Sequence, residues 1–121
     1  ALQSKWIQPA RWVHGDVSTG NLLVRNGALC AAIDFGLCAV GDPACDLVIA
    51  WKFFTGDHRE TFKTAVDLDQ ATWNRAMGWA LWKAVRSLYY SKNANILHQQ
   101  RAARAVIEAV LSDARRVGMV N

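Results

Sequence analysis

The order of signals along the chain predicts an α+β protein, mainly helical: a polar loop, a β-hairpin, a second polar loop, then about four helices. Three observations carry that class. Two short apolar runs, 22–25 and 28–33, flank Asn26-Gly27, and a two-residue hairpin turn with positive φ at both central positions favours this dipeptide. Beyond Asp42 the apolar residues recur at three-and-four spacing, the period of a helix with one buried face. No repeat, low-complexity tract or linker interrupts the 121 residues, so they read as a single domain over 1–121.

Taken in order, Trp6 to Val13 leads into the loop His14-Gly15-Asp16-Val17-Ser18-Thr19-Gly20-Asn21, and the hairpin then ends at a second loop, Asp34-Phe35-Gly36. Asp42 before Pro43 reads as an N-cap and first helical position, opening a helix through Ala50 to Phe54. Gly56-Asp57 interrupts it, and an amphipathic segment follows from His58 to Val66. Asp69 caps a long helix from Gln70 to about Ser91, with Trp73, Met77, Ala80, Leu81, Ala84, Val85 and Leu88 on its stripe. Trp79 and Trp82 widen the stripe, and with Tyr89 and Tyr90 they read as core rather than as a stacking platform. A last helix runs from about Asn95 to Val117, striped by Ala103, Val106, Ile107, Val110, Leu111, Ala114 and Val117, and Gly118 ends it.

Composition narrows the function classes. With 52% hydrophobic and 20% charged residues, the chain is not a disordered tail, a collagen-like repeat or a disulfide-rich miniprotein. No apolar run approaches the ~20 residues that span a bilayer, and the first residues do not form a signal peptide; a soluble, cytoplasmic protein with no membrane partner is expected. Cys30, Cys38 and Cys45 form no C-x-x-C pair and read as reduced core residues. The net charge of +4 is uneven: residues 14–46 carry −3 and residues 75–121 carry +6. An acidic loop region suits a divalent cation. The basic excess sits in the last two helices, where Arg101, Arg104, Arg115 and Arg116 fall largely off the apolar stripe and read as a solvated face. No helix-turn-helix, RNA-binding aromatic motif or zinc finger supports a nucleic-acid partner, and His58 and His98 carry no ligand signal.

The chemistry concentrates in the first third. Asp16 and Asn21 share one loop, and Asp34 follows Asn21 across the hairpin. A tight hairpin brings its ends together, so Asn21 and Asp34 become neighbours. An amide oxygen and a carboxylate are hard donors of the kind Mg²⁺ prefers, and Mg²⁺ keeps waters and takes substrate phosphates as its other ligands. Asp16 is left to accept a proton or orient a hydroxyl.

His14-Gly15-Asp16 with Asn21 in register, then Ile33-Asp34-Phe35-Gly36, then Gly41-Asp42-Pro43-Ala44-Cys45-Asp46-Leu47 match a known pattern in order and spacing. The chain resembles the aminoglycoside phosphotransferase family and its choline-kinase-like relatives, strongly from Trp12 to about Phe54 and in general layout beyond. It departs from the protein-kinase template at Gly15, in place of Arg, and at Ser18, where protein kinases typically carry Lys. The resemblance implies the C-terminal lobe of the protein-kinase-like fold. It also implies transfer of a γ-phosphate from ATP, or another nucleoside triphosphate, to the hydroxyl of a small molecule, with Mg²⁺ as cofactor. Aminoglycoside-type antibiotics are the family's nominal acceptors; choline-like alcohols, macrolides, homoserine-like compounds and sugars serve its relatives. Asp16 would be catalytic, Asn21 and Asp34 would hold Mg²⁺ and through it the nucleotide, and His14, Gly20 and Asp46 would support the loop. Asp42 reads only as a cap. The Gly-rich loop and strand lysine of the N-terminal lobe do not occur in the 121 residues, so the resemblance implies the C-terminal part of a longer enzyme, nearly inactive alone. The acceptor pocket falls to the helices after Asp57, where no motif fixes its chemistry. Two other readings stay open: a non-catalytic remnant or binding module of this fold, and a basic DNA-binding helical domain. Nothing fixes the oligomeric state.

Overall fold

A computed structural model describes residues 4–121. Among them are four α-helices and two small antiparallel sheets of two strands each, so the mainly helical α+β class holds. Strand β1 (Arg11–Val13) pairs with β4 (Ala39–Gly41), with Trp12 opposite Val40. Strand β2 (Leu22–Arg25) pairs with β3 (Ala28–Ala32). Helices α1 (Ile49–Lys52), α2 (Gly56–Val66), α3 (Gln70–Asn93) and α4 (Leu97–Arg116) follow.

The hairpin turn is the one its dipeptide demands, with φ of 53° at Asn26 and 78° at Gly27. The register slips between Leu23 and Val24, leaving Cys30 as the extra residue of a bulge. The β1–β4 pair is new relative to the sequence. Three-residue strands hold too little period to be seen, and their pairing spans the whole loop–hairpin–loop region.

Two boundaries differ from expectation. The segment after Asp42 winds as a 3₁₀ helix over Pro43–Val48 and becomes α only at α1. Asp42 still caps it, accepting the Ala44 N–H at 3.0 Å. Gly56 opens α2 behind Thr55 rather than breaking a helix. The long helices run as expected: the Asp69 side chain accepts the Thr72 N–H at 2.7 Å to start α3, and α4 ends at Arg116.

The core lies between the 3₁₀/α1 segment and the α3–α4 pair. Ala44, Leu47, Val48, Ala50 and Trp51 pack on Trp73, Ala76, Met77, Ala80 and Ala84 of α3 and on Val106, Val110 and Ala114 of α4. The alanines on α3 let α4 approach closely. Two expected core groups lie elsewhere. Trp73 is buried, but Trp79, Trp82, Tyr89 and Tyr90 are exposed. Trp82 is nine residues past Trp73 at about 100° each, which places it on the opposite side of the helix. Arg86 lies over the rings of Trp82 and Tyr90 there. Cys30 and Cys38 are also exposed, because both faces of the hairpin and its flanking loop are open, and only Cys45 is partly buried. No helix among the described residues is long and apolar enough to cross a membrane.

Candidate functional site

The site is built where β1 enters the 14–21 loop. Strand β4 runs back along β1 and delivers the Pro43–Val48 turn beneath that loop. Asp46 on this turn accepts the His14 N–H at 2.7 Å with Oδ2 and the Gly15 N–H at 2.8 Å with Oδ1. Both carboxylate oxygens are spent on consecutive backbone donors, a charge-assisted clamp on the residues just before Asp16. The turn is anchored at its other end as well. Besides capping Ala44, Asp42 pairs with Arg75 of α3, through Nε at 2.7 Å and Nη2 at 3.3 Å. Asp42 is therefore more than the cap its sequence position announces.

His14 ties the first loop to the second. Its Nε2 lies 2.8 Å from the Ile33 carbonyl and its Nδ1 3.3 Å from the Asp16 N–H. A carbonyl only accepts and an amide N–H only donates, so the neutral tautomer protonated at Nε2 satisfies both contacts. The ring also packs on Phe35, centroids 4.5 Å apart. Both ring nitrogens are thus engaged in holding backbone.

Gly15 has φ of +84°, and an added Cβ would overlap the Leu37 carbonyl oxygen. Only glycine fits, which explains why the bulky residue of the protein-kinase template is missing here. Gly20 is different. It lies in the Thr19–Asn21 turn without positive φ, and a Cβ there would meet only Ser18 Oγ at 4.0 Å. The loop-turn role expected of Gly20 therefore finds no conformational demand.

Asn21 and Asp34 come together at the base of the hairpin. The Asn21 carbonyl accepts the Ile33 N–H at 2.9 Å, one residue before Asp34. Asn21 Nδ2 donates to the Asp16 carbonyl at 3.0 Å, and its amide oxygen has no hydrogen-bond partner among the described residues, so it can serve as a metal donor atom. Asp34 turns the chain through the left-handed region (φ 64°, ψ 60°), which aspartate tolerates better than most residues. Its carboxylate is exposed and accepts no hydrogen bond among the described residues. One amide oxygen and one carboxylate suit a hard cation that shares its remaining sites with water and phosphate oxygens. Among the described residues no cluster of three His, Cys, Asp or Glu builds a cage from protein alone.

Asp16 points its carboxylate at Lys83 of α3, with Nζ 3.4 Å from Oδ1, and the same ammonium lies 3.5 Å from the Gly15 carbonyl. About half of the Asp16 side chain is exposed and about a quarter of Lys83. Lys83 and Arg75 are the site residues that sequence reasoning missed. Both sit on a helix whose period declares only its buried face, and no local spacing links either to its aspartate. Beside the site, burial first, then the carboxylate of Asp46, pushes the Cys45 thiol above its ordinary range. That keeps it protonated and inert.

The model of the phosphotransferase enzyme family matches residues 1–88, a span that includes both loops, the hairpin and Lys83. The chain belongs to this family of phosphoryl-transferring, kinase-like enzymes. None of the curated proteins or solved structures compared with it matches.

Proposed function

We propose that the chain carries the catalytic loop and metal-binding residues of an ATP- and Mg²⁺-dependent phosphotransferase that acts on a hydroxyl of a small molecule. The observation that carries this reading is the Asp46 clamp, which fixes His14 and Gly15 by their amides just before Asp16, while Asn21 donates to the Asp16 carbonyl and accepts the N–H of Ile33, the neighbour of Asp34. The family membership supports the reaction class. On this reading the 121 residues correspond to the C-terminal lobe of the kinase-like fold, and a Gly-rich loop and a strand lysine belong to an N-terminal lobe.

Asn21 Oδ1 and the Asp34 carboxylate would hold Mg²⁺, which when bound neutralises the charge on the nucleotide phosphates. Asp16 accepts the proton of the acceptor hydroxyl as its oxygen attacks the γ-phosphorus. The new O–P bond forms, the bond from that phosphorus to the bridging oxygen breaks, and the nucleoside diphosphate leaves with the electron pair. The clamp keeps Asp16 from having to find its position during the reaction, and positioning is most of what phosphoryl transfer asks of a protein.

The test is Mg·ATP-dependent phosphorylation of small hydroxyl compounds by the intact gene product, with Asp16→Ala as the control. The variant should lose about 10²-fold or more in kcat while keeping its helical circular dichroism. Unchanged turnover in that variant would remove Asp16 from the mechanism.

A further inference from the structure

We propose that Lys83 positions Asp16, and that the groove Lys83 borders takes an uncharged or anionic hydroxyl compound rather than a polycation. The proposal rests on the phosphotransferase reading above and adds its acceptor class and a positioning residue. A groove of about 320 Å³ lies between the α1 segment, α3 and α4. That is the lower end of the range for small-molecule sites. Its lining is largely apolar, with Trp51, Ala84 and Val106 buried and Phe53 exposed.

The ionisable side chains lining it are Lys52, Arg59 and Lys83; no carboxylate is among them. Arg59 is occupied, giving Nη1 to Asp113 at 3.3 Å and Nε to the Ala50 carbonyl at 2.8 Å. Lys83 is paired as well, its Nζ 3.4 Å from Asp16 Oδ1, so Lys52 is the one lining cation with no ion-pair partner among the described residues. A lining of cations without a carboxylate offers no wall to an ammonium-rich acceptor.

Lys83 also connects this groove to the reacting end. Lys83 lines the groove with Ala84, and its Nζ sits 3.4 Å from Asp16 Oδ1. The half-exposed Asp16 carboxylate has no other side-chain partner among the described residues. A free carboxylate samples several rotamers; the ammonium holds this one in place. The loop position where protein kinases carry a lysine is Ser18 here, and the positive charge arrives instead from α3, 67 residues along the chain from Asp16.

The experiment uses the intact gene product with Mg·ATP, measuring turnover with water and with a panel of neutral sugars and polyols, hydroxy acids, and kanamycin-type aminoglycosides. Lys83→Met should lower kcat about tenfold or more with the nucleotide KM unchanged, and Lys83→Arg should recover most of the loss. The acceptors turned over by the wild type should be neutral or anionic. Unchanged kcat in Lys83→Met, with Asp16→Asn inactive, overturns the positioning role while leaving the phosphotransferase reading intact. Full activity of Asp16→Asn overturns both. Preference for the aminoglycosides, or no turnover of any neutral or anionic compound, overturns the acceptor class.

Discussion

Asp46 holds the candidate site together through two backbone bonds of 2.7 and 2.8 Å, and each oxygen serves a different residue. Asp46→Asn replaces one acceptor oxygen by an amide that only donates, so one of the two N–H groups loses its partner. The expected cost is about 1–3 kcal/mol in urea denaturation, with a fall in phosphotransfer kcat larger than any change in KM. Gly15→Ala should do similar damage by another route. The left-handed conformation alone costs about 1–2 kcal/mol with a Cβ, and the overlap with the Leu37 carbonyl adds to it; a lowered midpoint in the same titration checks this. Cys45 should label with iodoacetamide far more slowly than the exposed Cys30 and Cys38, since its thiol is half-buried and faces Asp46 and Asp42; peptide mass mapping over time reads the order. At this scale the sequence shows those residues whose chemistry dictates spacing. Asp16, Asn21 and Asp34 stand out because a loop and a hairpin fix their separations. Lys83 and Arg75 do not, because their partners are met only after the chain has folded back.

Helix α3 joins the site to the core, and its start depends on Asp69, whose Oδ1 accepts both the Thr72 N–H at 2.7 Å and the Thr72 hydroxyl at 2.9 Å. The Thr72 backbone N–H, then its hydroxyl, hold the Asp69 carboxyl below its ordinary value of 3.8. A depressed folded-state value stabilises the fold above the unfolded value, and that gain disappears as the pH falls through the folded one. Asp69→Ala should therefore lower Tm at neutral pH, and the gap from wild type should close well below pH 3.8; melts followed by circular dichroism at the two conditions decide it. The element boundaries teach the same physics. The hairpin and the two long helices are legible because a turn dipeptide and about twenty residues of period each leave a strong trace. The three-residue strands β1 and β4 leave none. The aromatic run on α3 misleads because its residues are apolar on both sides of the helix, and only packing decides that Trp73 faces inward while Trp79 and Trp82 face out.

Across the whole molecule, one buried carboxylate links the helices that frame the groove. Asp113 of α4 accepts Trp51 Nε1 at 2.9 Å, Arg59 Nη1 of α2 at 3.3 Å and Arg116 Nη2 at 3.1 Å. Asp113 is 8% exposed, so these bonds replace nearly all of its hydration. Arg59 in turn donates to the carbonyls of Ala50 and Phe54, closing the segment between α1 and α2. The stripe of α4 makes this position visible as helical, but not as the anchor of two other elements, because a carboxylate one residue before Ala114 reads like any solvated residue. Removing it strands the Trp51 indole N–H and the Arg59 guanidinium in the interior, and breaking a buried pair from one side costs about 3–5 kcal/mol. Asp113→Ala should therefore lower stability by that order, whereas Asp113→Asn, which still offers one oxygen to Trp51, should lose less. The Asp46 clamp lies at the other end of the α1 segment and does not involve Asp113. In a folded Asp113→Asn variant the acceptor KM should then rise more than kcat falls, as Trp51 and Arg59 loosen along the groove while Asp16 keeps its place. Urea titration of both variants, with steady-state phosphotransfer on Asp113→Asn, separates this outcome from a uniform loss of kcat, which would mean that the two halves of the site are not mechanically independent.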